Sequence, residues 1–286
     1  MSEIRDALLV LSSFPDATPT YIVDQAIDFS KMLGARLSAI VFELNRNRIG
    51  PMHSFGERLI NVPSLIDEAV QRSKSESSRL LQYFESSARR RDVFQEKILE
   101  PAPVFPLPDA INERARLHDV TFLAPPDPIG LDGLYTEGVI FGSGRPTILL
   151  PTLASQKPKS AALDTIAVAW DFSRSAARAL ADSIPILSKA KSVRVFTIVN
   201  EKSIAAERLS EGLEQHLRIH GIDTTLERVD ADGRAAGKAI EDYVIGNHAD
   251  MLVMGAFGHS RLVEFVLGGA TRSILRHPPV PVLFSY

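Results

Sequence analysis

A chain of 286 residues suits two average domains better than one, and 45% hydrophobic with 23% charged residues is ordinary globular composition that excludes disorder of the whole chain. The 32 basic and 35 acidic residues leave a net charge of -3, which gives no large field for nucleic acid or an anionic membrane, and the lack of cysteine excludes disulfides, thiolate metal sites and a cysteine nucleophile. No stretch reaches the roughly 18 apolar residues of a membrane span and charges interrupt the first residues, so the sequence reads as that of a cytoplasmic protein.

In chain order, Ala7 to Ser12 is an apolar run of strand length, Thr20 to Leu33 a helix ended by Gly34, and Arg36 to Phe42 a second strand. Between Asn45 and Arg91, the spacing of Ile66, Ala69, Val70, Ser73, Ser77, Leu80, Leu81 and Phe84 predicts a long amphipathic helix after an irregular loop. Arg89, Arg90 and Arg91 close it with charge that suits a helix C-terminus. His118 to Ala124 and the segment around Thr147 to Leu150 are further strands. Thr152 to Asp164, small, polar and basic with Pro158 inside it, reads as an interdomain linker.

Beyond the linker, Thr165 to Trp170 is a strand, and Ser173 opens an Ala-rich helix to about Ser188 that Pro185 should kink or shorten. Val193 to Val199 is a β-branched strand, Ala205 to His220 a helix closed by Gly221, and Thr224 to Val229 a third strand. A helix from Ala235 to about Asn247, a strand Met251 to Met254, a helix stopped by Pro278 and Pro279, and a strand Val280 to Phe284 complete the chain. Strands alternating with helices imply parallel sheets covered on both faces.

The two halves repeat one plan. Ala26 to Glu43 parallels Ser183 to Glu201, His118 to Ala124 parallels Ala249 to Gly255, and RPTILLP parallels VPVLFSY. First strand and HD/AD strand start about 113 residues apart in the first half (Ala7 to Val120) and about 86 apart in the second (Thr165 to Met251), so about 27 extra residues lie near 45–91. A duplicated α/β unit explains this: residues 1–151 and 161–286, each a doubly wound, five-stranded, Rossmann-like parallel sheet, packed as a pseudo-dimer.

The informative segment is Gly255 to Arg276, GAFGHSRLVEFVLGGATRSILR. Gly255 and Gly258 follow a buried parallel strand directly, where open α/β sheets bind ligands. Gly268 and Gly269 then precede Ala270, Thr271 and a helix. Glycine there admits a ligand close to the backbone, free N–H groups at a helix start favour an anion such as phosphate, and Thr271 can add a hydroxyl or help to hold a metal ion. Tight turns alone are the ordinary reading of a single glycine pair; two pairs in this context weaken it.

These residues resemble the nucleotide signature of the universal stress protein family, G-x-x-G, nine residues, then G-[S/T], in the tandem two-domain form. Gly255, Gly258 and Gly268 fall on the three glycines, with the nine residues His259 to Leu267 between the last two, and Asp171 matches the aspartate that ends the family's first strand. The resemblance implies ATP, with ADP or AMP as alternatives and Mg2+ as companion. It implies Asp171 and Ile198 at the base and ribose end, Met254 and Gly255 beside the ribose, and Gly258, Gly268, Gly269, Ala270 and Thr271 around the phosphates. Gly269 stands where the family has Ser or Thr, and Phe172 where glycine is common. His259, Arg261 and Arg272 flank the phosphate region; His259 either touches phosphate or caps a turn.

The first half departs from this pattern. Its first strand ends Ser12-Ser13-Phe14 without an aspartate, and its fourth runs into PPDPIG. Gly142-Ser143-Gly144-Arg145 imitates a phosphate loop, but Pro146 leaves no room for a helix N-terminus, so this half is expected to bind no nucleotide. His216 and His220, four apart, have metal-ligand spacing without an accompanying carboxylate motif, and a solvated helix face is the better reading. No nucleophile, base and orienting group occur together. The sequence therefore favours a nucleotide-dependent stress or signalling sensor, with a protein partner and a homodimer left open. A slow ATPase or nucleotidyl transferase, and a first-half module for an apolar ligand or protein, are the competing readings.

Overall fold

The computed structural model describes residues 3–45, 62–102, 108–126, 132–152, 163–199, 205–256 and 269–286. The first half comprises β1 (Asp6–Ser12), α1 (Thr20–Leu33), β2 (Arg36–Leu44), α2 (Val62–Arg90), β3 (Phe94–Ala102), α3 (Pro108–Ala115), β4 (Val120–Leu123), α4 (Asp132–Gly142) and β5 (Thr147–Leu149). The second comprises β6 (Thr165–Ala169), α5 (Arg174–Leu187), β7 (Ser192–Val199), α6 (Ala205–Ile219), β8 (Thr224–Asp230), α7 (Ala236–Gly246), β9 (Met251–Gly255), α8 (Gly269–Arg276) and β10 (Val282–Ser285). Most of the proposed linker lies outside the described residues.

All ten strands form one sheet in the order β3-β2-β1-β4-β5-β10-β9-β6-β7-β8. Within each half the described pairings are parallel. The halves join where β10 runs antiparallel to β5, pairing Val282 with Leu149, Leu283 with Ile148 and Phe284 with Thr147. This is the pseudo-dimer that the duplicated plan implies.

Central strands are buried on both sides and therefore apolar throughout. Leu9, Leu11, Phe122, Val168 and Val253 face one core with residues of α1, α2, α5 and α6. Leu8, Val10, Leu123, Leu252 and Met254 face the other, with residues of α3, α4, α7 and α8. The alternation follows from the two-residue period of a strand.

The repeated HD/AD pair has a physical purpose at the amino ends of the central strands. Asp119 Oδ2 accepts from the backbone N–H of Arg5 and Asp6 at 2.9 and 3.1 Å. Asp250 Oδ2 accepts from Asp164 and Thr165 at 2.9 Å each. Each carboxylate thus fixes the start of the neighbouring strand by charge-assisted bonds.

The long amphipathic helix is α2, and every residue of its predicted stripe is buried or half-buried. It occupies the position of α6 in the repeat with 29 residues against 15, so much of the extra length of the first half is a longer crossover helix. Its basic end is held by side chains as well as by the helix dipole. Arg89 pairs with Glu85 and lies over the Phe94 ring at 4.2 Å, while Arg91 reaches Asp24 and Asp28 on α1 at 3.3 and 3.2 Å. Pro185 does not shorten α5, which continues to Leu187. A proline in the last turn removes one backbone hydrogen bond and leaves few residues beyond it to disrupt.

Two outcomes are expected. Residues 161–286 expressed alone should dimerise in sedimentation, because the β10 edge loses β5 and seeks a second copy; a monomer at high concentration contradicts the seam. At β1, burial raises the Asp6 carboxyl above its ordinary value of 3.8, Asp119 adds to the rise, and His118, 3.8 Å away, opposes it. A carboxyl with a raised folded pKa binds its proton more tightly in the folded state, so the cost of its charge is present at neutral pH and is relieved as pH falls towards 3.8. Asp6→Asn should stabilise the chain at pH 7, with the gain shrinking in urea titrations as pH falls towards 3.8.

Candidate functional site

In the second half the chain moves from β6 outward to β7 and β8, then returns to β9 and β10 on the other side of β6. The switch point therefore lies between the carboxyl ends of β6 and β9, where an open α/β sheet leaves a crevice.

One wall is the turn from β6 into α5. The Trp170 N–H still pairs with Phe196 O at 2.8 Å, so the ladder extends to that residue. Asp171 is exposed, and its Oδ1 accepts from the Ser173 N–H at 3.0 Å. Ser173 caps α5, its Oγ accepting from the Ala176 N–H at 3.1 Å. Between them Phe172 sits at φ 61°, the left-handed region that favours the family's glycine. Its ring meets Trp170 edge-on, with centroids 5.7 Å apart at 73°. The Trp170 Nε1 is buried and has no hydrogen-bond partner among the described residues.

The opposite wall is the end of β9. A Cβ on Gly255 would lie 2.5 Å from the Ala176 nitrogen and 2.5 Å from the Ser175 carbonyl carbon. Glycine is required there because the first turn of α5 rests on the strand end. The sequence reading placed Gly255 beside a ribose and missed this packing role, which the motif spacing alone does not show.

Ile198, Met254 and Ala270 converge on the second face of the sheet. Met254 is part of that core, and the other two pack against it. Below them the Phe196 and Tyr243 rings stack at 4.0 Å, and burial pushes the Tyr243 phenol above its ordinary range. Gly269, Ala270 and Thr271 form the first turn of α8, with Thr271 buried. A Cβ on Gly237 would meet Ser273 Cβ at 2.8 Å and Ala270 Cα at 3.2 Å, so α7 holds the start of α8 closely. No acidic side chain occupies that first turn, which leaves its backbone N–H groups suited to an anion. Gly258, His259, Arg261 and Gly268 lie outside the described residues.

The corresponding crevice of the first half is built differently. Strand register places Ser12 and Ala124 where the second half has Asp171 and Gly255. Ser12 N–H donates to Thr18 Oγ1 at 2.8 Å, and the buried Ser13 hydroxyl donates to Phe42 O at 2.6 Å. Ser73 from α2 joins Ser13 at 2.7 Å and accepts from the Leu44 N–H at 2.9 Å. A polar plug from α2 thus lies against the strand ends. Gly142 ends α4, and the following residues turn into β5 without starting a helix. His216 and His220 stack edge-on at 4.9 Å, and no group of three His, Asp or Glu able to hold a metal occurs among the described residues.

The profile of the Universal stress protein family matches residues 162–285. Those residues belong to the universal stress protein family. A universal stress protein of Synechocystis sp. is 46% identical over 48 residues, a match that spans 17% of this chain and 17% of that relative's length. At the level of structure, the chain resembles a universal stress protein from Archaeoglobus fulgidus DSM 4304, with TM-score 0.67 and 17% identity over 97% of this chain and 95% of that one. It also resembles a functionally unknown protein from Pseudomonas aeruginosa PAO1, with TM-score 0.56 and 14% identity over 99% and 92% of the two chains. Identities this low establish the fold, and they do so across both halves. The chain is thus a tandem form, in which the first half shares the universal stress protein fold without carrying the second half's signature.

Gly255→Ala should destabilise the chain by about 1–3 kcal/mol, the usual cost of forcing a methyl into a filled contact. Denaturant unfolding would show it as a lower midpoint; an unchanged midpoint would mean that α5 does not rest on β9 as described.

Proposed function

We propose that the second half binds an adenine nucleotide and that the chain acts as a nucleotide-dependent sensor in stress or signalling. The units are residues 1–151 and 161–286, with ATP the expected ligand and ADP or AMP the alternatives. One observation carries the reading. Asp171 and Gly255 stand at the carboxyl ends of β6 and β9, the strands that flank the switch point, and Gly269 to Thr271 form the first turn of α8.

Each has a physical role in this proposal. Asp171 already uses Oδ1 to shape its turn, and its second oxygen accepts from a ribose hydroxyl or base amine. Ile198 and Met254 offer apolar contact to the base. The α8 N-terminus offers N–H donors to phosphate, and Gly269 supplies the backbone donor without the family's hydroxyl. With no cluster of acidic or imidazole ligands among the described residues, Mg2+ would be held chiefly by the phosphates, as is usual for nucleotide-bound magnesium. The first half, with Ser12, Ala124 and the Ser13–Ser73 plug at its strand ends, serves as packing partner. The bound conformation is what a protein partner reads.

Calorimetric titration with ATP should give about one site per chain, and ATP should shift the emission of Trp170, the single tryptophan, which ends β6 beside Asp171. Two equivalent sites would place a ligand in the first half and contradict the proposal. Steady phosphate release under saturating ATP and magnesium would replace the sensor reading with the enzyme reading.

A further inference from the structure

We infer that the first half binds one buried water molecule between its sheet and helices α3 and α4, held by Thr121, Thr147 and Asn112.

The two threonines are neighbours by register. Thr121 on β4 pairs with Thr147 on β5, and both are fully buried. Each stands two residues before a leucine, Leu123 or Leu149, that belongs to the core under α3 and α4, so both side chains face that core. Adjacent strands lie about 4.8 Å apart, too far for one hydroxyl to reach the other and close enough for a single water, about 2.8 Å from each, to bridge them. Neither Oγ1 has a hydrogen-bond partner among the described residues.

Asn112 supplies the third contact. Helix α3 leads into β4 and α4 leads into β5, so the last turns of both helices lie over the amino ends of these strands, where Thr121 and Thr147 stand. In the last turn of α3, Asn112 lies against α4: its Nδ2 donates to Gly138 O at 3.3 Å, and a Cβ on Gly142, the last residue of α4, would collide with the amide. The Asn112 residue is 3% exposed, and its Oδ1 also has no hydrogen-bond partner among the described residues. Three buried oxygens with unmet hydrogen bonds thus fall at one end of the α3–α4 groove.

The second half shows the same place filled without polar groups. Asp119 and Asp250 are equivalent in the repeat, so Asn112 corresponds to Tyr243 and Thr121 to Leu252, while Thr147 corresponds to Val282, the register partner of Leu252. The backbone agrees: Asn112 O accepts from the Arg116 N–H as Tyr243 O accepts from the Asn247 N–H, each at 3.0 Å. Leu252 and Val282 are fully buried, and the Tyr243 ring stacks on Phe196. The fold therefore accepts an apolar filling here, yet the first half carries oxygen at all three positions. Buried polar groups are bonded as a rule, and one buried water commonly satisfies about three of them. The donor set selects water. Asn112 Oδ1 only accepts, the hydroxyls both donate and accept, and none of the three carries a charge to balance an ion.

A crystal structure of the full chain should show one water within about 3.2 Å of all three oxygens; a dry site or a metal ion there overturns the inference. Thr147→Val keeps the shape and removes one contact, so the melting temperature should fall by roughly 2–4 °C, and Thr121→Val should do the same. The double variant should lose less than the sum, because both hydroxyls act through one water. An unchanged or raised melting temperature in both single variants means that the hydroxyls hold nothing and overturns the inference. A parent melting temperature that rises in potassium chloride over choline chloride at equal concentration, with no such rise in Thr147→Val, assigns the site to a monovalent cation and overturns it too. If the variants do not fold, the crystal structure of the parent decides.

Discussion

The antiparallel pairing of β5 with β10 is the constraint on which the rest of the molecule depends. Left alone, each half would end in a short strand with one unpaired edge, a template for uncontrolled association. β10 is buried along its whole length, including Phe284. Tethering both edges in one chain makes their pairing intramolecular, so it proceeds at high effective concentration. The pairing also fixes relative direction: the carboxyl ends of one half's strands share an end of the sheet with the amino ends of the other's. Ser285 on β10 donates to Asp182 of α5, so the helix that begins at the candidate site is bonded to the seam strand as well.

On this symmetric scaffold the two strand-end crevices have diverged through a few substitutions. Where Gly255 lets α5 rest on β9, Ala124 carries a methyl, and α1 has no comparably extensive contact with β4. Seven residues, 13–19, connect β1 to α1, against four, 170–173, between β6 and α5. The longer connection satisfies its polar groups internally through Ser12, Ser13 and Thr18, and α2 completes that network with Ser73. Both arrangements meet the requirement that buried polar groups be hydrogen-bonded. The first half does so with side chains from its β1–α1 connection and from α2, and the second with the Asp171 and Ser173 side chains at the start of α5.

The sequence made the scaffold legible because buried strands and amphipathic helices are written in period. Leu80, Leu81 and Phe84 with Ser73 and Ser77 marked the inner face of α2 even though two of the stripe positions are serines. Strand β3 was not named because it is an edge strand: from Phe94 to Ala102 only the last residue is buried, and the apolar run that signals a central strand is absent. Helices α3 and α4 carry a weak signal because they are short and bordered by Pro and Gly. Contacts between segments distant in sequence are the least legible class. Nothing in the local pattern around Gly237 shows that its missing Cβ makes room for Ser273, or around Asp119 and Asp250 that their carboxylates bind the starts of adjacent strands. Such constraints arise only once distant segments are packed.

Phe172 shows how local strain and tertiary support combine at the site. A left-handed backbone costs a non-glycine residue about 1–2 kcal/mol. An edge-on aromatic pair returns about 0.5–1.5 kcal/mol, and the Trp170 contact is such a pair. The remaining strain is held by the bonds on either side, Asp171 to the Ser173 N–H and Ser173 to the Ala176 N–H, and by the seating of α5 on Gly255. These contacts over-determine one short turn, and strained turns persist where the surroundings do so. A wall fixed in this way enters binding already ordered, so a ligand meeting it loses less affinity to rearrangement than one that must order a loose loop.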